Sequence, residues 1–229
     1  MDNNFPPPVI KMEGIYKSYG KGQNKLNALS GIDMEIRRGE FVAILGPSGS
    51  GKTTLMNIIG LMDSADSGAY FLDGESVAGA KERKWAKLRN AKIGFVFQKF
   101  NLIPKYSALY NVALPLLMQG TRYRAAKKKA RETLERVGLG DRLKHKPSEL
   151  SGGQAQRVAI ARALVGGCSL ILADEPTGAL DQKTGSEVLD FMRELNAEGR
   201  SIVMITHDIH IADRAGRIIR VEDGRITSG

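Results

Sequence analysis

Phe41-Val42-Ala43-Ile44-Leu45-Gly46-Pro47-Ser48-Gly49-Ser50-Gly51-Lys52-Thr53 is the stretch that decides the fold. Five apolar residues read as a buried strand. A glycine-rich loop follows and opens into a helix-forming stretch, Thr54-Leu55-Met56-Asn57-Ile58-Ile59. Glycines let backbone N–H groups turn inward around a phosphate chain, and the helix behind them adds the positive end of its dipole. Lys52 brings a mobile point charge to the β- and γ-phosphates, and Thr53 brings an oxygen for Mg²⁺. An ordinary glycine turn between strand and helix explains the glycines but not Lys52 and Thr53 at this spacing.

Upstream, Val9–Lys17 and Leu26–Arg37 are rich in apolar and β-branched residues, separated by Gly20-Lys21-Gly22, and read as strands. Met1–Pro8 has neither the basic start nor the apolar run of a secretory signal and is expected to be a flexible leader, with one domain over Val9–Gly229. Downstream, Tyr70-Phe71-Leu72 meets the turn dipeptide Asp73-Gly74, and Ile93–Phe97 is a further apolar strand. Residues 100–165 read as a helical lobe inserted into the core, punctuated at Pro104, Pro115, Gly120, Gly138, Gly140 and Pro147. Strands are expected at Ser169–Ala173 and Ser201–Thr206, both continuous apolar runs. Between them Val188, Phe191, Met192 and Leu195 repeat at helical spacing up to Gly199, and Arg217–Glu222, Asp223-Gly224 and Arg225–Thr227 form a closing hairpin. The alternation of strands and helices makes this an α/β chain with a mainly parallel sheet, whose ligands bind at the carboxyl ends of the strands.

The 229 residues suffice for one large domain, and an apolar content of 42 % argues against disorder. No run of about 18 apolar residues occurs; the best candidate, Val112–Met118, is short and contains Pro115. Cys168 is the sole cysteine, which excludes an internal disulfide, and it is expected to serve packing. The net charge of +9 favours anionic partners. The densest basic stretch, Arg122–Arg131, runs into Glu132 and Glu135 at helical pairing distance from Lys128 and Arg131, and reads as a solvated helix face. Trp85, in the charged segment Lys81–Arg89, is expected to anchor that segment to the core.

Two further segments carry chemistry. Leu170-Ile171-Leu172-Ala173 ends in Asp174-Glu175, a carboxylate pair that is costly at a buried strand end unless a cation or a reaction uses it. Asp174 is suited to Mg²⁺, and Glu175 to accepting a proton from an attacking water. Glu175 is expected to point away from Asp174, because side chains alternate along a strand. Leu150-Ser151-Gly152-Gly153-Gln154 precedes a long helix, Ala155–Val165; Ser151 can cap it, and the two glycines expose donors at its positive end. In isolation a Ser-Gly-Gly segment is no more than a helix cap.

Together these motifs resemble the nucleotide-binding domain of ABC transporters over nearly the whole chain, in the family's order. Gly46–Thr53 resembles Walker A, and Leu150–Gln154 is identical to the LSGGQ signature. Leu170–Asp174 with Glu175 resembles Walker B and its catalytic glutamate. Gln98 matches the Q-loop, Ala179-Leu180-Asp181 the D-loop, His207 the H-loop, and Tyr19 the aromatic that stacks on adenine. The text GPSGSGKTTLMNIIG, IGFVFQKFNLIP, ALYNVALPL and ILADEPTGALD is similar to the lipoprotein-release, macrolide-efflux and peptide-antibiotic-resistance branch.

The resemblance implies the ABC ATPase fold: a P-loop core with a mainly parallel sheet, an antiparallel β subdomain and an inserted helical subdomain. It implies ATP and Mg²⁺ as cofactors. ATP would be bound by Tyr19, Gly46, Ser48, Gly49, Ser50, Gly51, Lys52, Thr53, Thr54 and Gln98, and the metal by Thr53, Gln98 and Asp174. Lys52, Glu175 and His207 would be the catalytic set. Ser151, Gly152, Gly153 and Gln154 would act in trans on the ATP of a second copy, in a head-to-tail homodimer. The implied partner is a membrane permease of exporter type docking near Gln98 and Lys99–Leu117, which would hold the chain at the cytoplasmic face of the cell membrane. A competing class is a soluble ABC-type ATPase acting on nucleic acid or ribosomes. The positive charge allows it; the single P-loop and the modest helical lobe argue against it. A guanine-nucleotide switch is disfavoured, since no Asn/Thr-Lys-x-Asp segment is present.

Overall fold

The computed structural model describes residues 7–20 and 22–229. Of the leader expected at residues 1–8, residues 1–6 lie outside this description, as does Lys21 of the expected strand separator. The chain divides into two compact units: the chain up to Trp85 together with Leu195–Gly229, and Ala86–Glu194.

In the first unit, strands β1 (Ile10–Tyr19) and β2 (Leu26–Ile36) pair antiparallel. β3 (Phe41–Leu45) leads into helix α1 (Lys52–Ile59). β4 (Ser67–Leu72) and the two-residue β5 (Glu75–Ser76) complete an antiparallel sheet of order β2-β1-β4-β5. The β4–β5 turn uses Asp73 (φ 56°) and Gly74 (φ 78°), both left-handed, as a two-residue hairpin matched to strand twist requires. Helix α2 (Glu82–Lys92) begins in this unit, continues into the second from Ala86, and buries no residue. Trp85 stitches its start to the preceding loop, donating its indole N–H to Val77 O at 3.0 Å.

The C-terminal part of this unit supplies β8 (Ser201–Thr206) and β9 (Arg217–Glu222), both parallel to β3, and β10 (Arg225–Ser228), antiparallel to β9. Helix α7 (Ile209–Ala212) connects β8 to β9. Every residue of β3 and β8 is buried. That explains why both read as unbroken apolar runs, and each fully buried aliphatic side chain contributes about 1.5–3 kcal/mol.

In the second unit, β6 (Ile93–Phe97) and β7 (Leu170–Asp174) are parallel, in register Ile93↔Leu170 to Phe97↔Asp174. Helices α3 (Ala108–Met118), α4 (Tyr123–Arg136) and α5 (Gly152–Leu164) share a core that includes Val112, Leu116, Leu134, Val158 and Ala161. Helix α6 (Gln182–Ala197) ends before Gly199, whose φ is 90°. Lys128 and Glu132 pair across one turn of α4 at 3.9 Å, as a solvated face predicts. Pro115 does not end the helix it was expected to punctuate. It lies inside α3, where burial of Val112, Ala113 and Leu116 outweighs the lost N–H bond. Buried Asn111 ties α3 to the segment after β6: its Oδ1 accepts from Ile103 N at 2.7 Å, and its amide donates to the carbonyls of Ile103, Tyr106 and Ser107. Cys168 is buried and its thiol donates to Ala163 O at 3.3 Å, a packing role. No helix among the described residues is long and apolar enough to cross a membrane.

Candidate functional site

The loop Gly46–Gly51 joins β3 to α1, and the glycines at its two ends are fixed by crowding. A Cβ on Gly46 would collide with Val221 O, and one on Gly51 (φ 102°) would come within 2.5 Å of Ala28 O. The loop is buttressed from behind by the β9–β10 turn, where Gly224 N donates to Ser50 O at 2.9 Å and Gly224 O accepts from Ser30 N at 2.8 Å. Gly49 (φ 82°) has open space around it, and Ser48 beside it is exposed. Lys52 is 8 % exposed, and its Nζ donates to the carbonyls of Gly46 and Pro47, both at 2.7 Å. The loop thus curls around its own ammonium, while Thr53 faces solvent and Thr54 is half-buried. As the first residues of α1, Lys52, Thr53 and Thr54 carry N–H groups with no acceptor inside the helix.

Register fixes what stands beside this loop. Leu45 pairs with Thr206, so Gly46 and His207 leave neighbouring parallel strands at the same edge. His207 is exposed, and Asp208 caps the short helix behind it through His210 N at 2.8 Å. Tyr19 ends β1 with its ring 42 % exposed, and its hydroxyl donates to Asp63 Oδ2 at 2.7 Å.

The second unit gathers the other groups by the same geometry. Phe97 pairs with Asp174, so Gln98 and Asp174 lie together at the carboxyl edge of β6 and β7. The Gln98 amide covers Gly178, where a Cβ would approach Nε2 to 2.7 Å. β7 runs one residue later than the sequence suggested and ends on Asp174, with Glu175 outside it in a left-handed conformation (φ 43°). Pleat alternation therefore does not set the direction of Glu175; the turn does, closed by Gly178 N donating to Glu175 O at 3.0 Å. A non-glycine residue held at positive φ costs about 1–3 kcal/mol and is found where surrounding structure over-determines it.

Helix α5 begins at Gly152, earlier than the run Ala155–Val165 suggested, because Ser151 makes a full capping box. Gln154 N donates to Ser151 Oγ at 3.3 Å, and Ser151 N donates to Gln154 Oε1 at 3.0 Å. Gly153 is the more tightly confined of the two glycines. A Cβ on Gly152 would meet Leu180 Cδ2 at 3.1 Å, and one on Gly153 would collide with Thr184 Cγ2. Asp181 accepts from Thr184 N at 3.0 Å just ahead of α6, and its bonds to Thr184 hold its carboxyl below the ordinary aspartate range.

Several supporting residues gave no signal in the sequence. Gln156 on α5 is wholly buried and donates to Pro176 O at 2.6 Å, tying the Ser151–Gln154 segment to the turn after β7. Arg162 donates to Phe100 O at 2.9 Å and Asn101 O at 2.5 Å, bracing two residues of positive φ beyond Gln98. Burial pushes the Arg162 guanidinium below its usual value. Lys17 and Asp63 beneath Tyr19 were also missed, although Lys17 and Tyr19 share one strand face by their spacing.

Residues 29–178 match the ABC transporter family. An uncharacterized ABC transporter ATP-binding protein of Bacillus subtilis, YknY, is 50 % identical over 218 residues, 95 % of each chain. The macrolide export ATP-binding/permease protein MacB 1/2 of Paracoccus denitrificans is 49 % identical over 221 residues, 96 % of this chain; the chain spans about a third (33 %) of that relative's length. Among solved structures, a dimeric post-hydrolysis state of the ATP-binding cassette MJ0796 bound to ADP and Pi aligns with a TM-score of 0.86 at 43 % identity, covering 96 % of this chain and 97 % of that one.

Proposed function

The chain belongs to the ABC transporter family as an ATP-binding ATPase cassette, and we propose that two copies clamp Mg·ATP head to tail to drive a membrane permease of extrusion type. One observation carries the two-copy reading. The chain holds two helix N-termini suited to anions, α1 with Lys52 behind it and α5 with no cation in Leu150–Gln154. A triphosphate is too highly charged to be buried by α1 alone. Ser151 and Gly152, exposed at the start of α5, are placed to complete its solvation on a second copy, with Gly153 and Gln154 behind them. The dimeric state of the MJ0796 cassette supports a two-copy assembly.

Each remaining group takes a role its chemistry suits. Lys52 and the N–H groups of Gly49–Thr54 hold phosphate, and Tyr19 offers its exposed ring to the adenine. Thr53, Asp174 and Gln98 offer hard oxygen donors. Among the described residues no cluster of three His, Cys, Asp or Glu side chains could cage a metal. Mg²⁺ would neutralise charge on the β- and γ-phosphates. Glu175 accepts the proton of the attacking water, and His207 contacts the γ-phosphate from the same sheet edge as Gly46. Asp181 belongs to the D-loop.

The helical lobe of about residues 100–165, near Gln98 and Lys99–Leu117, is the face offered to the permease. The name of the Paracoccus relative supports both a permease partner and export. That partner would hold the chain at the cytoplasmic face of the membrane. Light scattering with Mg·ATP tests the core of this reading: E175Q should dimerise with ATP, and S151R added to it should not. An ATP-dependent dimer that survives S151R overturns it.

A further inference from the structure

Asp63 is the hub of a polar cluster under Tyr19 that the phosphate chemistry does not use. Its Oδ2 accepts the Tyr19 hydroxyl at 2.7 Å, and its Oδ1 accepts Lys17 Nζ at 2.8 Å and Ser64 N at 2.7 Å. Lys17 is 8 % exposed; its ammonium also donates to Ser64 O at 2.7 Å and lies 5.2 Å from the centre of the Tyr19 ring. A cation this buried is tolerable only with such partners. Next along the strand, Ser18 donates both N–H and hydroxyl to Asp66 Oδ2, at 2.7 and 2.8 Å, and the other oxygen of that carboxylate lies 3.8 Å from Lys17 Nζ. The end of β1 is therefore held by both carboxylates of the segment Asp63–Asp66.

The cluster also reaches the phosphate loop. Asp63 N donates to Asn57 O of α1 at 3.1 Å. One helix thus carries Lys52 and Thr53 at its start and is tied, through Asn57 and Asp63, to the aromatic ring. We infer that Asp63 is a positioning residue that locks the Tyr19 ring at a fixed distance from the phosphate loop, so that base and triphosphate are read as one ligand. This rests on the reading of Tyr19 as the surface on which adenine stacks. The physical gain is preorganisation: an exposed ring held before binding loses no rotamer freedom when the base arrives.

The protonation pattern suits the role. Burial works to raise the Asp63 pKa, but the bonds from Lys17, Tyr19 and Ser64 hold it below the ordinary aspartate range. Burial and the Asp63 bond both push the Tyr19 phenol up, so it stays a donor. Burial works to lower Lys17, and the bond to Asp63 more than restores it.

The test measures the Kd of Mg·ATP and of inorganic tripolyphosphate, which has no base, for the full chain and for Y19F, D63N, Y19F/D63N and Y19A. Y19F keeps the ring and removes only the bond to Asp63, at an exposed position where folding is safe. Y19F and D63N should each weaken ATP by about 3- to 10-fold, the cost of immobilising one side chain on binding. The double variant should be no weaker than either, and tripolyphosphate affinity should stay within twofold throughout. Equal losses for ATP and tripolyphosphate in D63N, additive effects of the two substitutions, or unchanged ATP affinity in Y19F would overturn the positioning role. Y19A separates this from the underlying reading. If Y19A weakens ATP while Y19F and D63N do not, Tyr19 still stacks and only the positioning role falls. If Y19A also leaves ATP affinity unchanged, both fall.

Discussion

Leu45 and Thr206 are register partners in the parallel pair β3–β8, and so Gly46 and His207 emerge side by side although 161 residues (207 − 46) separate them. Phe97 and Asp174 stand in the same relation in β6–β7 and deliver Gln98 beside a carboxylate. Within each pair, parallel pairing brings the carboxyl ends of the two strands to the same side. Chemistry scattered along the sequence is thereby collected by backbone register, before any side chain is considered.

Lys52 is the cation at the phosphate loop, held by two carbonyls that a ligand's phosphates would replace as partners. Lys52→Ala should weaken ATP binding by about 10- to 100-fold, the loss of one or two charge-assisted hydrogen bonds. Titration calorimetry measures it, with the melting temperature of the ligand-free variant as control. Near-normal affinity would contradict the cradle.

Glu175 lies beyond β7 with a left-handed backbone, aimed by a turn rather than by the strand. Glu175→Gln keeps the shape and removes the base. Steady-state phosphate release should fall by about 10²–10⁴-fold while ATP affinity is retained. An unchanged turnover would remove Glu175 from the chemistry.

Gly153 and Thr184 form a steric pair, since a Cβ at 153 would overlap Thr184 Cγ2. Gly153→Ala should destabilise the chain by about 1–3 kcal/mol through overpacking. Thr184→Ser deletes the clashing methyl and should recover most of that loss in the double variant. Urea midpoints of the four proteins decide it; additivity would show that the clash is relieved elsewhere.

Asp63 and Lys17 together predict a stability window. Asp63 has its pKa depressed below the ordinary value of 3.8, so its contribution is present above that value and is lost as pH falls through the lowered one. Lys17 has its pKa raised above 10.5, so its contribution is present below that value and is lost as pH rises through the higher one. The pair should stabilise across the whole interval between. In D63N, the stability lost below the aspartate range should shrink, as followed by urea unfolding at stepped pH. An acid limb as steep as that of the unaltered chain would place the linkage on other carboxylates.

The sequence by itself determined the elements whose burial is one-sided in kind. The apolar runs Phe41–Leu45, Ile93–Phe97 and Ser201–Thr206 became strands with unchanged bounds. The Asp-Gly pairs at 73–74 and 223–224 became two-residue turns, because those residues adopt positive φ at little cost. The phosphate loop and the Ser151 cap were legible for the same reason: each is local, fixed by residues a few positions apart. Helix α2 was not legible, since it buries nothing and so shows no apolar period. Only the tertiary structure decided that Pro115 stays inside α3, that Glu175 leaves β7, and that Arg162, Gln156 and Gly224 brace the functional loops. It alone also brought Asp63 beneath Tyr19, 44 residues away. Those outcomes depend on hydrogen bonds and close contacts between distant segments, and no periodicity within a segment records who its neighbour will be.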